Sequence, residues 1–404
     1  MLRNRTLSIA FFTILVDMMG FGIAFPILPI LFNGQSNWFG DLSKIELGIL
    51  YGILQASFAI AQFFGAPVLG ALSDRFGRKP VMLMTLTGAT IGYLLFAYGI
   101  ANANLLLMFA GRIIPGFAGG NISIVYSSMA DLSDDSQKVR DFGLAGAGFG
   151  LGMILGPVMG GILSQPGYLP FSGFQVPFLF MALLSVINLL VVLFFYKETI
   201  KQKSYAKIRP WSGIQNIYRA LKPNKLQLVF LAVLFHASGF SLFLMFIHFF
   251  LIEQHGFQQS DIGYIFGYVG IWTVLTQAFL VRPLATRIKS SRLVPWVILG
   301  FAISVVFLLI PENAFWIYII LPIGTICQGL YLPNITAVVS DLSGEKEQGK
   351  MLGINQSLMA FSNAIPPIIG GWLLIMGAQM PVMLAVGFSL TGWVIFNIYL
   401  RKSK

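Results

Sequence analysis

The sequence predicts an all-α polytopic membrane protein of twelve transmembrane helices in two six-helix bundles. Three observations lead there: bilayer-length apolar segments recur along the chain, basic residues alternate between loops, and the two halves repeat. Of 404 residues, 56% are hydrophobic and only 10% charged, with a mean hydropathy of +0.80. A soluble domain carries about 25% charged residues. Segments near the roughly 20 residues that a span needs lie at 7–31, 45–72, 80–101, 104–130, 139–164 and 176–197. A second set lies at 226–252, 261–285, 292–310, 314–339, 348–376 and 381–400. The organisation is then residues 1–197 as an N-terminal bundle, 198–225 as a cytoplasmic linker and 226–404 as a C-terminal bundle.

The first span opens behind Arg3 and Arg5 and contains Asp17 but no small-residue cleavage site, so it reads as an uncleaved helix. Of the 26 Lys and Arg residues, all but Lys44 and Arg112 fall in the termini and alternate loops. That asymmetry is the positive-inside rule, which places both termini in the cytoplasm. The net charge of +11 is therefore a topology signal that also meets anionic lipid, and its distribution argues against a nucleic-acid partner. Cys327, the single cysteine, lies inside a span, so no intramolecular disulfide forms. No phosphate-loop motif, nucleophile–base pair or metal-spaced cluster occurs, so neither an enzyme, a cofactor nor a metal is expected. The linker carries Trp211, Ile214, Ile217, Tyr218 and Leu221 at helical spacing. That pattern suits a helix in the membrane interface, or a solvated connection.

The halves match at one constant offset. Asp131-Leu132-Ser133 pairs with Asp341-Leu342-Ser343, Gly143 with Gly353, Pro157 with Pro367, and Gly160-Gly161 with Gly370-Gly371. An even number of spans separates the copies, which makes a parallel repeat about the membrane normal, the scaffold of alternating access.

Within the spans, Asp17 and Arg112 stand out. Asp17 lies about ten residues into the first span, ~15 Å deep by helical rise, where an ionisable group marks function by default. Arg112 is the basic residue inside the fourth span, ~12 Å from its outer edge. In the fifth span "GLGMILGPVMGG" places Gly148, Gly152, Gly156 and Gly160 four apart on one smooth face, suited to close helix packing. Pro157 bends that helix, and Gly161 completes the motif.

These residues carry a resemblance. "GALSDRFGRKP" (70–80) resembles the signature loop of the major facilitator superfamily, "GRIIPGFAGG" its fourth-helix motif, and "GLGMILGPVMGG" the fifth-helix motif of its proton-driven antiporters. The chain resembles the twelve-helix drug:proton antiporter family, and its first five helices most resemble the tetracycline/proton antiporters. The resemblance implies a major facilitator fold, and a latch between the halves from Gly70, Asp74, Arg75, Gly77, Arg78 and Lys79, with Asp131, Arg140 and Asp341. In it, Asp74 faces the N-terminal end of the eleventh span, whose helix dipole favours an anion. It also implies that the first and fourth spans adjoin on a central cavity. There Asp17 and Arg112 couple protons, Asp17 being held by Arg112 when deprotonated. The fifth-span glycine face is expected to seal against the other half, at the eighth span.

The seventh span faces the same cavity by resemblance. His236, His248 and Glu253 there are candidates for proton relay or substrate contact, with a plain structural role equally open for the histidines. Asn121, Ser123, Tyr126, Gln328, Tyr331 and Asn334 are candidates for the substrate path. Two departures weigh against tetracycline itself: Gly92 stands where those carriers have a third-helix carboxylate, and the ninth span has no acid. Separately, Pro115 stands where the family commonly carries Gln, which removes a hydrogen-bonding group near the proton site. The expectation is a proton-coupled exporter of a small amphiphile in a bacterial inner membrane, working as a monomer. The alternatives are an exporter of an endogenous metabolite such as a siderophore, and a proton-coupled uptake symporter.

Overall fold

A computed structural model describes residues 2–32, 37–40, 42–132, 138–165, 173–200, 210–222, 226–343 and 348–402. Twelve helices among them are long and apolar enough to cross a membrane. We number them α1 (Leu2–Gly22), α2 (Lys44–Phe76), α3 (Arg78–Ala101), α4 (Leu105–Ala118 with Asn121–Leu132), α5 (Lys138–Leu163) and α6 (Val176–Phe195). The second half holds α7 (Gln227–His255), α8 (Gln259–Leu275, continuing to Arg287), α9 (Ser290–Leu308), α10 (Phe315–Leu342), α11 (Gln348–Ala364 with Pro366–Leu373) and α12 (Gln379–Lys402). The described residues contain no strand.

Helices form here despite Gly and Pro because hydrocarbon offers the backbone no other hydrogen-bond partners. Where sequence expectation drew one long helix, four spans are interrupted. After Gly22, α1 unwinds around Pro26 before a short helix at Leu28–Phe32. In α4 the break falls at Gly119-Gly120, behind Pro115, and Gly120 sits against the backbone of Ala66 so closely that a Cβ would lie 2.6 Å from its nitrogen. The freed carbonyls are satisfied: Gln62 Nε2 donates to Gly119 O at 3.1 Å and Ser123 Oγ to Gly120 O at 2.7 Å. A π-helical turn at Thr276–Leu280 interrupts α8, and Pro366-Pro367 divides α11.

Within the first half α1 packs on α5 and α6, α3 on α4 and α6, and α2 on α4; within the second, α7 packs on α11 and α12, and α9 on α10 and α12. The halves meet along two seams, α2 against α11 and α5 against α8. At the end away from the basic loops both halves share one apolar core, including Phe25, Tyr51, Phe246, Phe249 and Phe266. At the basic end each keeps its own: Leu7, Leu69, Val81 and Ile124 belong to one core, Phe230, Val294, Ile335 and Phe396 to the other. The molecule is closed at one end and divided at the other.

In the linker, Ser212–Leu221 is a helix. Gly213 rests on the Phe63 ring of α2, and Asn216 Nδ2 donates to Ser357 Oγ of α11 at 3.1 Å, so the helix straddles a seam. Trp211, Ile214, Tyr218 and Leu221 are exposed together along this helix.

Candidate functional site

The site gathers where α1, α2, α3 and α4 approach one another. Asp17, half-buried, accepts from Asn121 Nδ2 at 3.4 Å. A cavity of about 10 Å³, room for roughly one water, adjoins it, lined by Asp17, Phe58, Gln62, Tyr93, Pro115 and Asn121. The break in α4 brings Asn121 to this level. Gly20 makes room on α1 for Tyr93, whose hydroxyl would lie 1.7 Å from an added Cβ.

Arg112 is 4% exposed and does not pair with Asp17. Its Nη2 donates to Gln55 Oε1 at 2.6 Å and its guanidinium lies 4.8 Å from the centre of the Phe58 ring. The expected direct pair is thus replaced by two separately held groups. The amide and the aromatic face compensate the buried cation, and Asn121 serves the carboxyl. The Nε of Arg112 is buried without a partner among the described residues, so the cation is under-satisfied where it sits. Sequence reasoning passed over Gln55, Phe58 and Tyr93. For Gln55 the signal was available, an amide in the middle of an apolar span.

The two departures on α3 and α4 are one feature. A Cβ on Gly92 would meet the Pro115 ring at 2.2 Å, so Pro115 fills the volume that a side chain at position 92 would occupy.

The glycine face of α5 packs differently from expectation. Added Cβ atoms would lie 3.0 Å from Phe11 O at Gly148, 2.5 Å from Leu15 O at Gly152, 2.5 Å from Met19 O at Gly156 and 2.4 Å from Ile23 O at Gly160. All four meet α1, inside the same half. The reason is reach: only a side chain without Cβ permits backbone-to-backbone contact along four turns, which suits a permanent interface. The contact with α8 uses the adjacent face, where a Cβ added at Gly263 would lie 3.1 Å from Gly161 Cα and Gly270 seats Ile154.

The signature loop closes on its own half. Arg78, 6% exposed, donates to Asp74 at 2.5 Å, to Asp131 at 3.2 Å and to Ser73 Oγ at 2.7 Å. These bonds pair Asp74 within its own half, and none of them reaches α11. Gly77 takes a φ of 113°, reserved for glycine, and lies where a Cβ would strike Glu198. Glu198, which sequence reasoning missed, accepts from the backbone nitrogens of Arg78 and Lys79 at 2.9 and 3.1 Å and so caps α3. Arg75 and Lys79 are placed in the same turn, a Cβ added at Gly70 would lie 3.5 Å from Ser123 Oγ, and Asp341 is exposed. The side chain of Arg140 lies outside the described residues.

On α7, His236 Nε2 meets Gln328 Oε1 of α10 at 3.2 Å, and its ring stands edge-on to Tyr331 at 4.2 Å. His248 stacks on Phe266 at 5.0 Å, with Phe25 beside it, in the shared core. Glu253 is exposed at the helix end. Asn334 donates to its own helix at Leu330 O, and Tyr126 is half-buried on α4. The structure therefore unites Asp17, Asn121 and the surroundings of Arg112, and keeps the His236 cluster separately in the other half.

Comparison with known proteins fits this architecture. A sequence profile of the Major Facilitator Superfamily matches residues 10–325 and 229–404. The class C tetracycline resistance protein of Escherichia coli is 30% identical over 377 residues, covering 91% of this chain and 89% of that protein. The class B protein of the same species is 29% identical, covering 96% and 97%. The quinolone resistance protein NorA of Staphylococcus aureus is 26% identical, covering 98% and 96%. Among solved structures, the human organic anion transporter MFSD10 (TETRAN) superposes with a TM-score of 0.70 at 23% identity over 98% of this chain and 99% of that one.

Proposed function

The chain belongs to the Major Facilitator Superfamily, and from that premise we propose that it exports a small amphiphilic compound, of the drug or antibiotic type, in exchange for protons by alternating access. The observation that carries the reading is the Asp17 site. One carboxyl stands at membrane depth beside an amide, next to a small cavity, with a buried cation on a neighbouring helix held by other groups. A protonated carboxyl can rest there, while a carboxylate competes for the under-satisfied Arg112. The relatives named for resistance to tetracycline and quinolone support export, and the bacterial cell membrane is where such a carrier would work. Pro115 filling the space over Gly92 favours a ligand other than tetracycline. The signature-loop cluster then serves as the basic-end hinge of the first half, and the carrier acts as a monomer.

The test is proton flux in inverted vesicles with a panel of tetracyclines, fluoroquinolones and lipophilic cations. A compound that discharges the gradient through the wild type should fail to do so through Asp17→Asn. Uphill export by Asp17→Asn at the wild-type rate would falsify the coupling role.

A further inference from the structure

A continuous line of donors leaves Arg112 and crosses into the other half. Arg112 Nη2 donates to Gln55 Oε1 at 2.6 Å, Gln55 Nε2 donates to the Tyr51 hydroxyl at 3.3 Å, and Tyr51 donates to the backbone carbonyl of Met245 on α7 at 2.5 Å. Gln55 and Tyr51 are both fully buried. Every bond runs in one direction, away from the cation, so each polarises the next. Tyr51 and Gln55 lie one turn apart on α2, the spacing that stacks two side chains on one face. The last acceptor is a carbonyl inside a helix, whose second lone pair is left by the helical bond and accepts from Tyr51. Around it the Tyr51 ring meets Phe246 at 5.4 Å and Phe249 at 4.8 Å, edge-on, in the core that closes the end away from the basic loops. The two residues are larger and more polar than that apolar core needs.

We infer that Gln55 and Tyr51 are positioning residues that tie the place of the Arg112 guanidinium to closure between the halves. The inference rests on the proton-exchange reading above. With Asp17 neutral, Arg112 stays on Gln55, the line is intact and Tyr51 holds α7. With Asp17 ionised, the carboxylate competes for Arg112. Gln55 then loses its charged donor, and the bond from Tyr51 to α7 weakens. The protonated carrier is thereby biased to close this end and the deprotonated carrier to open it, the order an exchanger requires. The titratable and charged groups around the line are Asp17 on α1, Tyr93 on α3, Arg112 on α4 and His248 on α7. The Pro366–Leu373 segment of α11, packed against α2, contains none.

The test reads conformation and not flux. Spin labels at Lys44 and Gln254, exposed at the closed ends of α2 and α7, report their separation at pH 5.5 and 8.5 (both about one and a half units from neutral). The wild type should show the short distance at low pH and gain a longer one at high pH. Tyr51→Phe removes one atom, and Gln55→Glu keeps the Arg112 contact and the volume while losing the donor to Tyr51. Both should populate the longer distance at low pH, raised about fivefold, the equivalent of one neutral hydrogen bond. A second wild-type-like pH response in both variants overturns the relay alone and leaves proton exchange standing. A wild type whose distances ignore pH overturns the relay together with the reading beneath it. Gln55→Glu behaving as wild type beside an altered Tyr51→Phe overturns the relay too, because the Tyr51–Met245 bond would then act without Gln55 or Arg112.

Discussion

The seam between α5 and α8 yields a prediction that separates gating from folding. At Gly270 a Cβ would lie 2.4 Å from both branches of Ile154 and 2.8 Å from its Cβ, a part of the side chain too close to the backbone to swing away. Gly270→Val therefore cannot be accommodated while the seam is closed. Overpacking of this kind costs about 1–3 kcal/mol. The seam joins two halves that move apart, so the cost falls on the closed state alone. The equilibrium between states should then shift about 5- to 150-fold towards the one in which this end is open. The assay is the rate at which an impermeant maleimide labels Ala24→Cys, in the shared core and fully buried here, with Cys327→Ser as background. Labelling should rise by that factor while melting in detergent stays near wild type. Gly156→Leu is the contrast. Its added atoms strike the Met19 carbonyl inside one half, so melting should fall and the distribution of states should not move. Unchanged labelling in Gly270→Val would refute the assignment of α5 and α8 as the moving seam, as would a melting loss equal to that of Gly156→Leu.

Further outcomes follow from other contacts. Glu198→Ala removes the cap from the start of α3, and because Glu198 is exposed the cost should be about 1 kcal/mol, read as a lower melting temperature with proton coupling retained. Arg78→Leu breaks a buried cation from Asp74 and Asp131 and should cost more than Glu198→Ala, a ranking that thermal scans in detergent check. Gly92→Ala forces a methyl against the Pro115 ring and should destabilise by about 1–3 kcal/mol. Adding Pro115→Ala should recover a large part of that loss, and additive effects in the double mutant would refute the contact.

Much of the architecture was legible because a bilayer imposes it. Span number and the repeat follow from hydropathy and residue identity, which the hydrocarbon solvent constrains strongly. Asp17 and Arg112 stood out for the same reason, since a charged side chain at membrane depth carries a large desolvation cost. Their relation was not legible. Depth along two helices gives a height, whereas pairing depends on rotation about each axis, and that is set by Gly20 admitting Tyr93 and by Phe58 receiving the guanidinium. The glycine face failed for a related reason. Spacing by four identifies a smooth surface, but both α1 and α8 were available to meet it. Glu198 escaped because its role comes from the turn at Gly77, far off in sequence.

The two faces of α5 show how one helix serves a fixed and a moving contact. Against α1 the glycines lie on α5, and what they meet is backbone: the carbonyls of Leu15, Met19 and Ile23. Such a contact gains dispersion over the whole length of two helices, and it relaxes poorly when displaced, so it suits elements that travel together. Against α8 the arrangement inverts. The knobs Ile154 and Val158 stand on α5, and the hollows Gly270 and Gly267 lie on α8. A few branched side chains seated in hollows can leave and return without a backbone rearrangement, and they fix the register on return. The Asp17 carboxyl lies directly behind the fixed face, since Asp17 falls between Leu15 and Met19 on the stretch of α1 that α5 grips. Motion of α5 at the seam must therefore carry Asp17 with it, and the short path from carboxyl to seam is a rigid one.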